Sequence, residues 1–336
     1  MTKDFVEIKS RRFLGNKYRL IPFIKNIVEK KCGTYNTVID IFAGTGVVGE
    51  SFNNKTTKII SNDILISNFI SLSAWLRTTE LDITQAKKII KGFNNLNIHT
   101  PNYVSEKFGD RYFTMSSARK IGEIRELIEN YSDSLKNVLL TSLLYALDSV
   151  ANTVGHYDMY RMKLDNIKKL NLKLPLINTR YNENNEVYQK DGNDLIREIS
   201  GDILYLDPPY NSRQYSDCYH VLENIVEWKK PRVYGKAQKM IRDHIKSEYN
   251  KKEAVKYLEN LIEEADTKHI LLSYNSTRNS HHPRSNAKIS DDLILEILRH
   301  KGEVKIYQKQ INNFSAGKSN SMNHHERVFY CKVSRN

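Results

Sequence analysis

Four short stretches of this chain are apolar at consecutive positions rather than alternate ones. They are TVIDIFAG (Thr37 to Gly44), KIISND (Lys58 to Asp63), DILYLD (Asp202 to Asp207) and HILLSYN (His269 to Asn275). Runs of this length, rich in β-branched and aromatic residues, suit strands covered on both faces, as in a parallel sheet. Between most of them the apolar positions recur every three or four residues, as in YRLIPFIKNIVEKK and AVKYLENLIEEA, which predicts amphipathic helices. Alternating strands and helices specify an α/β fold, a mostly parallel, Rossmann-like sheet with helices on its faces. EVKIYQKQI and HERVFYCKV flank a polar loop containing Gly317 and predict a C-terminal antiparallel hairpin that finishes the sheet.

The alternation breaks from about Thr78 to Glu186. Here DITQAKKIIKGF, SARKIGEIRELIENY and LKNVLLTSLLYALDSVANTV all have helical period, and an Asn-rich segment follows around Tyr181 to Glu186. The expected organisation is therefore one α/β domain built from residues 1–77 and 186–336, interrupted by a largely helical insertion at 78–185. No internal repeat of fixed period is present.

A length of 336 residues accommodates such a domain and its insertion. Lysine and arginine number 52 against 39 acidic residues, a formal charge of +13. That excess suits a polyanionic partner, although a lysine-rich surface can equally serve only solvation. Cys32, Cys218 and Cys331 lie far apart, with no C-x-x-C pair. This argues against a disulfide framework or zinc site and for a reducing compartment; no metal is expected. The opening MTKDFVEIKSRRF is polar, without the apolar core of a signal peptide. No stretch approaches the roughly 18 apolar residues of a membrane span. A cytoplasmic protein without a membrane partner is expected.

Two places carry chemistry. After the first strand comes Gly44-Thr45-Gly46-Val47-Val48-Gly49, whose glycines let backbone turn tightly and approach a ligand. Asp40 lies inside that strand, where a buried carboxylate needs a partner: it anchors the loop or meets a positive group of a ligand. About twenty residues on, the second strand ends on Asp63, placed to accept the hydroxyls of a ribose. An ordinary strand-to-helix turn with an incidental acid remains the alternative. No G-x-x-x-x-G-K-[ST] occurs, which favours a ligand with ribose and adenine but no pyrophosphate over ATP or NAD.

The third strand ends on Asp207-Pro208-Pro209-Tyr210, at the carboxyl edge where open α/β sheets bind ligands. Two prolines fix φ and remove two amide donors, leaving carbonyl oxygens free to accept. Asp207 adds a carboxylate and Tyr210 a flat surface. A planar base bearing an amino group fits this edge. Two acceptors on its hydrogens free the nitrogen lone pair for in-line attack on a methyl group, and a base from a duplex must first be flipped out. A proline-stiffened turn with Tyr210 as core filler is the bland alternative.

Together these residues resemble AdoMet-dependent DNA N6-adenine methyltransferases of the Dam-like, or D12, class. FLGNKYRL (Phe13 to Leu20) is similar to that class's N-terminal motif, in which an aromatic residue and a lysine flank the cofactor; Phe13 and Lys17 fall on those places. DIFAGTGVVG resembles the cofactor glycine motif, including Phe42, Gly44 and Gly46, while Asp63 matches the ribose-binding acid and DPPY the catalytic motif. VYQKDGNDLI makes Asp191 the candidate acid near the cofactor adenine, and LLSYNS resembles a later strand motif lining the target pocket. DPPYNSRQY and SDCYHVLE look like a subgroup of restriction-associated methylases. The resemblance implies that Phe13, Lys17, Asp40, Phe42, Gly44, Gly46, Asp63, Asp191 and Asp207 hold S-adenosyl-L-methionine. It also implies that Asp207, Pro208, Pro209 and Tyr210 act on a flipped adenine in double-stranded DNA, with a cognate restriction endonuclease as a possible partner. The 78–185 insertion takes the place of the target-recognition region; ANTVGHYDMYR offers His156, Tyr157 and Arg161 for base or phosphate contact, or is merely an exposed loop. Arg213 is expected to meet phosphate or orient its loop. No Pro-Cys pair exists to serve a cytosine-C5 methylase. The other open reading is an RNA base amino-group methyltransferase.

Overall fold

A computed structural model describes residues 4–165, 167–210, 212–275, 289–310 and 325–334. Its main sheet has seven strands: β1 (Thr37–Asp40), β2 (Lys58–Asn62), β3 (Glu186–Tyr188), β4 (Ser200–Leu206), β5 (Asp266–Asn275), β6 (Gly302–Gln310) and β7 (His325–Val333). Their spatial order is β3-β2-β1-β4-β5-β7-β6. The first five strands in chain order pair in parallel, whereas β7 runs antiparallel to both β5 and β6. The α/β sheet and its C-terminal hairpin thus follow the hydrophobic pattern, while the loop around Gly317 lies outside the described residues. Strand β1 stops at Asp40, earlier than its apolar run, because Ile41 to Gly46 turn into the next helix. Strand β3 escaped the pattern: three residues on a sheet edge, with only Val187 buried, carry no periodicity.

The strands are covered on both faces, and their consecutive apolar residues divide between the two sides. Val38, Ile59 and Ile203 join a core with helices α1 (Ile21–Lys31), α2 (Val47–Phe52) and α3 (Ile66–Arg77). Their successors Ile39, Ile60 and Leu204 join the opposite core, with α8 (Gly192–Leu195), α11 (Ala254–Glu264) and α12 (Asp291–Lys301). This two-sided burial is why the strands are apolar at every position rather than at every second one.

Residues 78–185 contribute α4 (Ile83–Asn95), α5 (Tyr103–Phe108), α6 (Met115–Ile128) and α7 (Asp133–Val150). Asp82 caps α4, accepting from Gln85 N at 2.9 Å, and Asn102 with Ser105 forms a capping box on α5. These helices share one continuous core with α3 and with α10 (His220–Glu227), which follows the short α9 (Tyr215–Cys218). No helix among the described residues is long and apolar enough to cross a membrane.

The order of the strands brings the two motifs together. From β1 the chain builds outward to β2 and β3, then β4 returns to the other side of β1. That reversal is a topological switch point, where open sheets leave a crevice at the carboxyl ends of the strands. In the register, Asp40 lies opposite Tyr205, so Asp207 emerges just beyond the end of β1.

Candidate active site

After Asp40 the chain makes its turn on two glycines in left-handed conformation, Gly44 at φ 55° and Gly46 at φ 83°. A Cβ at Gly46 would stand 2.6 Å from Leu72 Cδ2, and one at Gly44 3.1 Å from the Phe13 ring. At Gly46 the left-handed backbone favours glycine, and a Cβ there would also have to displace the end of the Leu72 side chain. Asp40 sits beneath the turn, 1% exposed. Its Oδ2 accepts from Gly49 N at 3.2 Å, while its buried Oδ1 has no hydrogen-bond partner. Burial pushes this carboxyl up to about 7, against the pull of the Gly49 N–H.

Asp63 follows β2 and is interlocked with the loop. Its Oδ2 accepts from Gly44 N and its Oδ1 from Leu65 N, both at 2.9 Å. Burial raises its pKa and the two N–H donors oppose that rise. The first turn of α3 is held by a residue far along the chain, Glu223 of α10. Its two oxygens accept from Ile66 N and Ser67 N at 2.9 Å each, a tertiary cap on a helix whose own N-cap, Leu65, has no side chain to offer. Asp191 caps α8, accepting from Asn193 N at 2.8 Å. Phe42 meets Tyr249 edge-on at 5.0 Å, and the Tyr249 hydroxyl donates to Asn193 Oδ1 at 2.8 Å.

On the other side of the switch point Asp207 is paired with Lys17, Nζ to Oδ2, at 2.7 Å. Burial raises the Asp207 pKa and Lys17 counters it; Lys17 loses hydration by burial, yet Asp207 holds its ammonium well above the usual lysine range. Each charge thus favours the ionised form of the other. Lys17 also donates to Gly15 O at 3.1 Å. Phe13 stacks on Tyr219 at 4.5 Å and 11°, with Tyr215 tilted beside it at 5.4 Å. Pro208 is buried, Pro209 and Tyr210 half-buried, and the Tyr210 ring meets Tyr274 edge-on at 5.8 Å.

Nine of the twelve residues singled out from the sequence line one cleft; Gly46, Pro208 and Tyr210 are not on its wall. Tyr215, Tyr249, Ser247 and Gln214 line it as well, with Glu223 behind it; Gln214, Tyr215 and Glu223 lie within DPPYNSRQY and SDCYHVLE, but none of the five was given a role from the sequence. Gln214 and Ser247 exchange two hydrogen bonds at 2.9 Å. Nothing in spacing marks these residues, because they reach the site by packing from α9, α10 and the loop before α11. Ser276, the end of LLSYNS, lies outside the described residues. Of the three residues expected to contact DNA in the loop after α7, Tyr157 is buried at 2% exposure and donates to Asp148 Oδ1 at 2.9 Å. It is core, so that expectation is corrected. Arg161 is exposed and paired with Asp165 at 2.6 Å. Burial, then the nearby charge of Arg213, pushes half-buried His156 below its usual pKa.

The cleft suits a nucleoside with a cationic amino-acid tail. It offers backbone stripped of Cβ atoms, a buried carboxylate oxygen without a partner, and a second, half-exposed carboxylate beside the loop. With a rigid acceptor edge opposite, fold and site define a methyltransferase of the kind that acts on a planar amine. A family model for D12 class N6 adenine-specific DNA methyltransferases matches residues 13–288, and the chain belongs to that family. Its cofactor is S-adenosylmethionine. Among curated relatives, the type II methyltransferase M.FokI of Planomicrobium okeanokoites is 32% identical over 95% of this chain, which spans 52% of that protein. The type II methyltransferase M.NlaIII of Neisseria lactamica is 30% identical over 93% of this chain and 95% of its own length. Modification methylase LlaI of Lactococcus lactis subsp. lactis is 32% identical over 79% of this chain and 46% of its own. The chain therefore spans about half the length of two of these relatives and nearly all of the third.

Proposed function

We propose that this chain methylates N6 of an adenine flipped out of duplex DNA, at a specific site, as the cytoplasmic modification enzyme of a restriction system with a cognate endonuclease. The meeting of Asp207 with the glycine loop at one switch point carries this reading. S-adenosylmethionine supplies an electrophilic methyl group. Asp40, the Gly44 to Gly46 backbone, Asp63, Phe42 and Asp191 hold it, with Phe13 and Lys17 closing the cleft. Asp207 and the Pro208 carbonyl accept the two hydrogens of the adenine amine, and Tyr210 stacks on the base. Holding both hydrogens releases the nitrogen lone pair; as the N–C bond forms, the methyl–sulfur bond would break with its electron pair left on the neutral thioether, and one of those protons leaves toward Asp207 and solvent. Lys17 opposes the rise that burial gives the Asp207 pKa and so favours its ionised form. The 78–185 region, continuous in packing with α3 and α10, carries target recognition.

Incubation with labelled S-adenosylmethionine and either duplex DNA or RNA tests the proposal. Label recovered as N6-methyladenine in DNA, at one recurring sequence, is expected. Transfer to RNA alone, or to no nucleic acid, would overturn it.

A further inference from the structure

The chain between α10 and α11 contains a segment whose charge the reaction does not use. Residues 229–246 hold seven lysines and arginines and one acid, a net +6 within a chain of +13. Five of the seven cations have partners. Lys229 pairs with Glu227, Lys230 with Glu126, and Lys246 with Asp243. Lys239 reaches Asp158 at 2.5 Å and Asp217 at 3.4 Å, and Arg242 donates to Asp217. Among the described residues Arg232 and Lys236 have no carboxylate partner.

The backbone of the segment is fastened. The Tyr103 hydroxyl donates to Pro231 O at 2.6 Å and the Tyr112 hydroxyl to Ala237 O at 2.9 Å. Tyr234 and Lys239 exchange N–H···O bonds of 2.9 Å each way, closing a hairpin whose turn contains Gly235 at φ 67°. The tip presents exposed Arg232, Tyr234 and Lys236, with the Arg232 guanidinium over the Tyr234 ring at 5.3 Å. Lys239 ties this hairpin to the loop after α7 through Asp158 and to α9, just beyond DPPY, through Asp217. At its other end Ile245 lines the cleft.

A strap held by its backbone and its paired cations, with two unpaired ones at an ordered tip beside the site, suits an extended polyanion. We propose that residues 229–246 form a phosphate clamp for duplex DNA, with Arg232 and Lys236 as its contacts. The clamp lies after DPPY and outside the 78–185 region. It rests on the reading that the chain methylates duplex DNA.

The test is the salt dependence of binding to duplex DNA by R232Q/K236Q. A control, K55Q/K332Q, removes equal charge from exposed positions at the opposite end of the sheet. Two lost phosphate contacts lower the slope of log K against log salt by about 2. Between 50 and 200 mM salt the double variant would then lose roughly tenfold less affinity than wild type. At low salt it would be weakened by the same factor on specific and non-specific duplexes, while the control keeps the wild-type slope. An unchanged slope, or an equal fall in both variants, overturns the clamp while leaving the methylation reading intact. Wild-type protein that binds no duplex DNA overturns both.

Discussion

Glu223→Gln isolates a single buried carboxyl whose effect on stability changes with pH. In the native protein Glu223 is 1% exposed, and burial lifts its pKa from 4.5 to about 7 despite the Ser67 and Ile66 N–H groups that pull it down. Between those two values the native state keeps a proton that the unfolded chain has released. Stability from this group is therefore greatest below 4.5 and falls as pH rises toward 7. At 1.36 kcal/mol for each pH unit, the loss across the window is roughly 3 kcal/mol. Glutamine cannot titrate, so the variant's stability lacks that slope. It carries instead a nearly constant penalty of about 1–3 kcal/mol, because its amide NH2 replaces one of the oxygens that accept from Ile66 and Ser67. Urea unfolding of both proteins from pH 4.5 to 7.5 gives the measurement: the wild-type advantage should shrink steadily as pH rises. Parallel stability curves would refute the reasoning. A functional trace should accompany the shift. Glu223 seats the first turn of α3, and Leu65 at that turn fixes Asp63, so the variant should show a raised KM for S-adenosylmethionine with a smaller change in KM for DNA.

Asp207→Ala should abolish methyl transfer while near-native far-UV circular dichroism shows a folded protein; near-normal turnover would remove Asp207 from its role. Tyr210→Ala should weaken base stacking by about 1–3 kcal/mol, seen as reduced flipping of a fluorescent base analogue at the target position, and an unchanged signal would count against the assignment. Gly46→Ala forces a side chain into left-handed backbone 2.6 Å from Leu72 Cδ2. It should cost at least about 1 kcal/mol in thermal or urea unfolding, with weaker cofactor binding by equilibrium dialysis; wild-type values in both would show that the loop tolerates a Cβ.

The elements that could be read from sequence were those whose signal is local. Double-faced burial wrote β1, β2, β4 and β5 as consecutive apolar residues, and the helical period of Leu135 to Val150 wrote most of α7. Asp63 and Asp207 were legible because each ends a strand, so a sequence position translates directly into a place at the sheet's edge. The roles of Glu223, Tyr219 and Tyr249 were not legible, although the first two lie within SDCYHVLE, since those roles depend on which helix packs beside α3 and the glycine loop. The Tyr157 expectation failed for the same reason. Its neighbours Val154 and Met162, each 77% exposed, are as open as a loop suggests, yet the buried carboxylate of Asp148 draws the Tyr157 hydroxyl inward.

Asp148 also limits how the site can open for DNA. This buried carboxylate of α7, raised by burial, accepts from Arg12 N at 3.2 Å as well as from Tyr157, and the Arg12 guanidinium donates to its backbone carbonyl at 3.2 Å. Arg11 lies beside it at 4.0 Å with its side chain fully buried. Three residues on, Leu14 N donates to the Tyr219 hydroxyl at 2.7 Å and Leu14 O accepts from Tyr215 at 3.3 Å; three further on, Lys17 holds Asp207. Seven consecutive residues, 11 to 17, thus bind α3, α7, α9, the start of α10 and Asp207. Swinging the helices of 78–185 away from the sheet would break the bonds that Asp148 and its carbonyl accept from Arg12 and part Asp148 from Arg11, which keeps its own bonds to Ser67 and Ser71 of α3. A hinge there is the expensive route. The adenine is better brought in by deforming the DNA, so that the extruded base approaches a cleft whose two halves stay locked through the N-terminal segment.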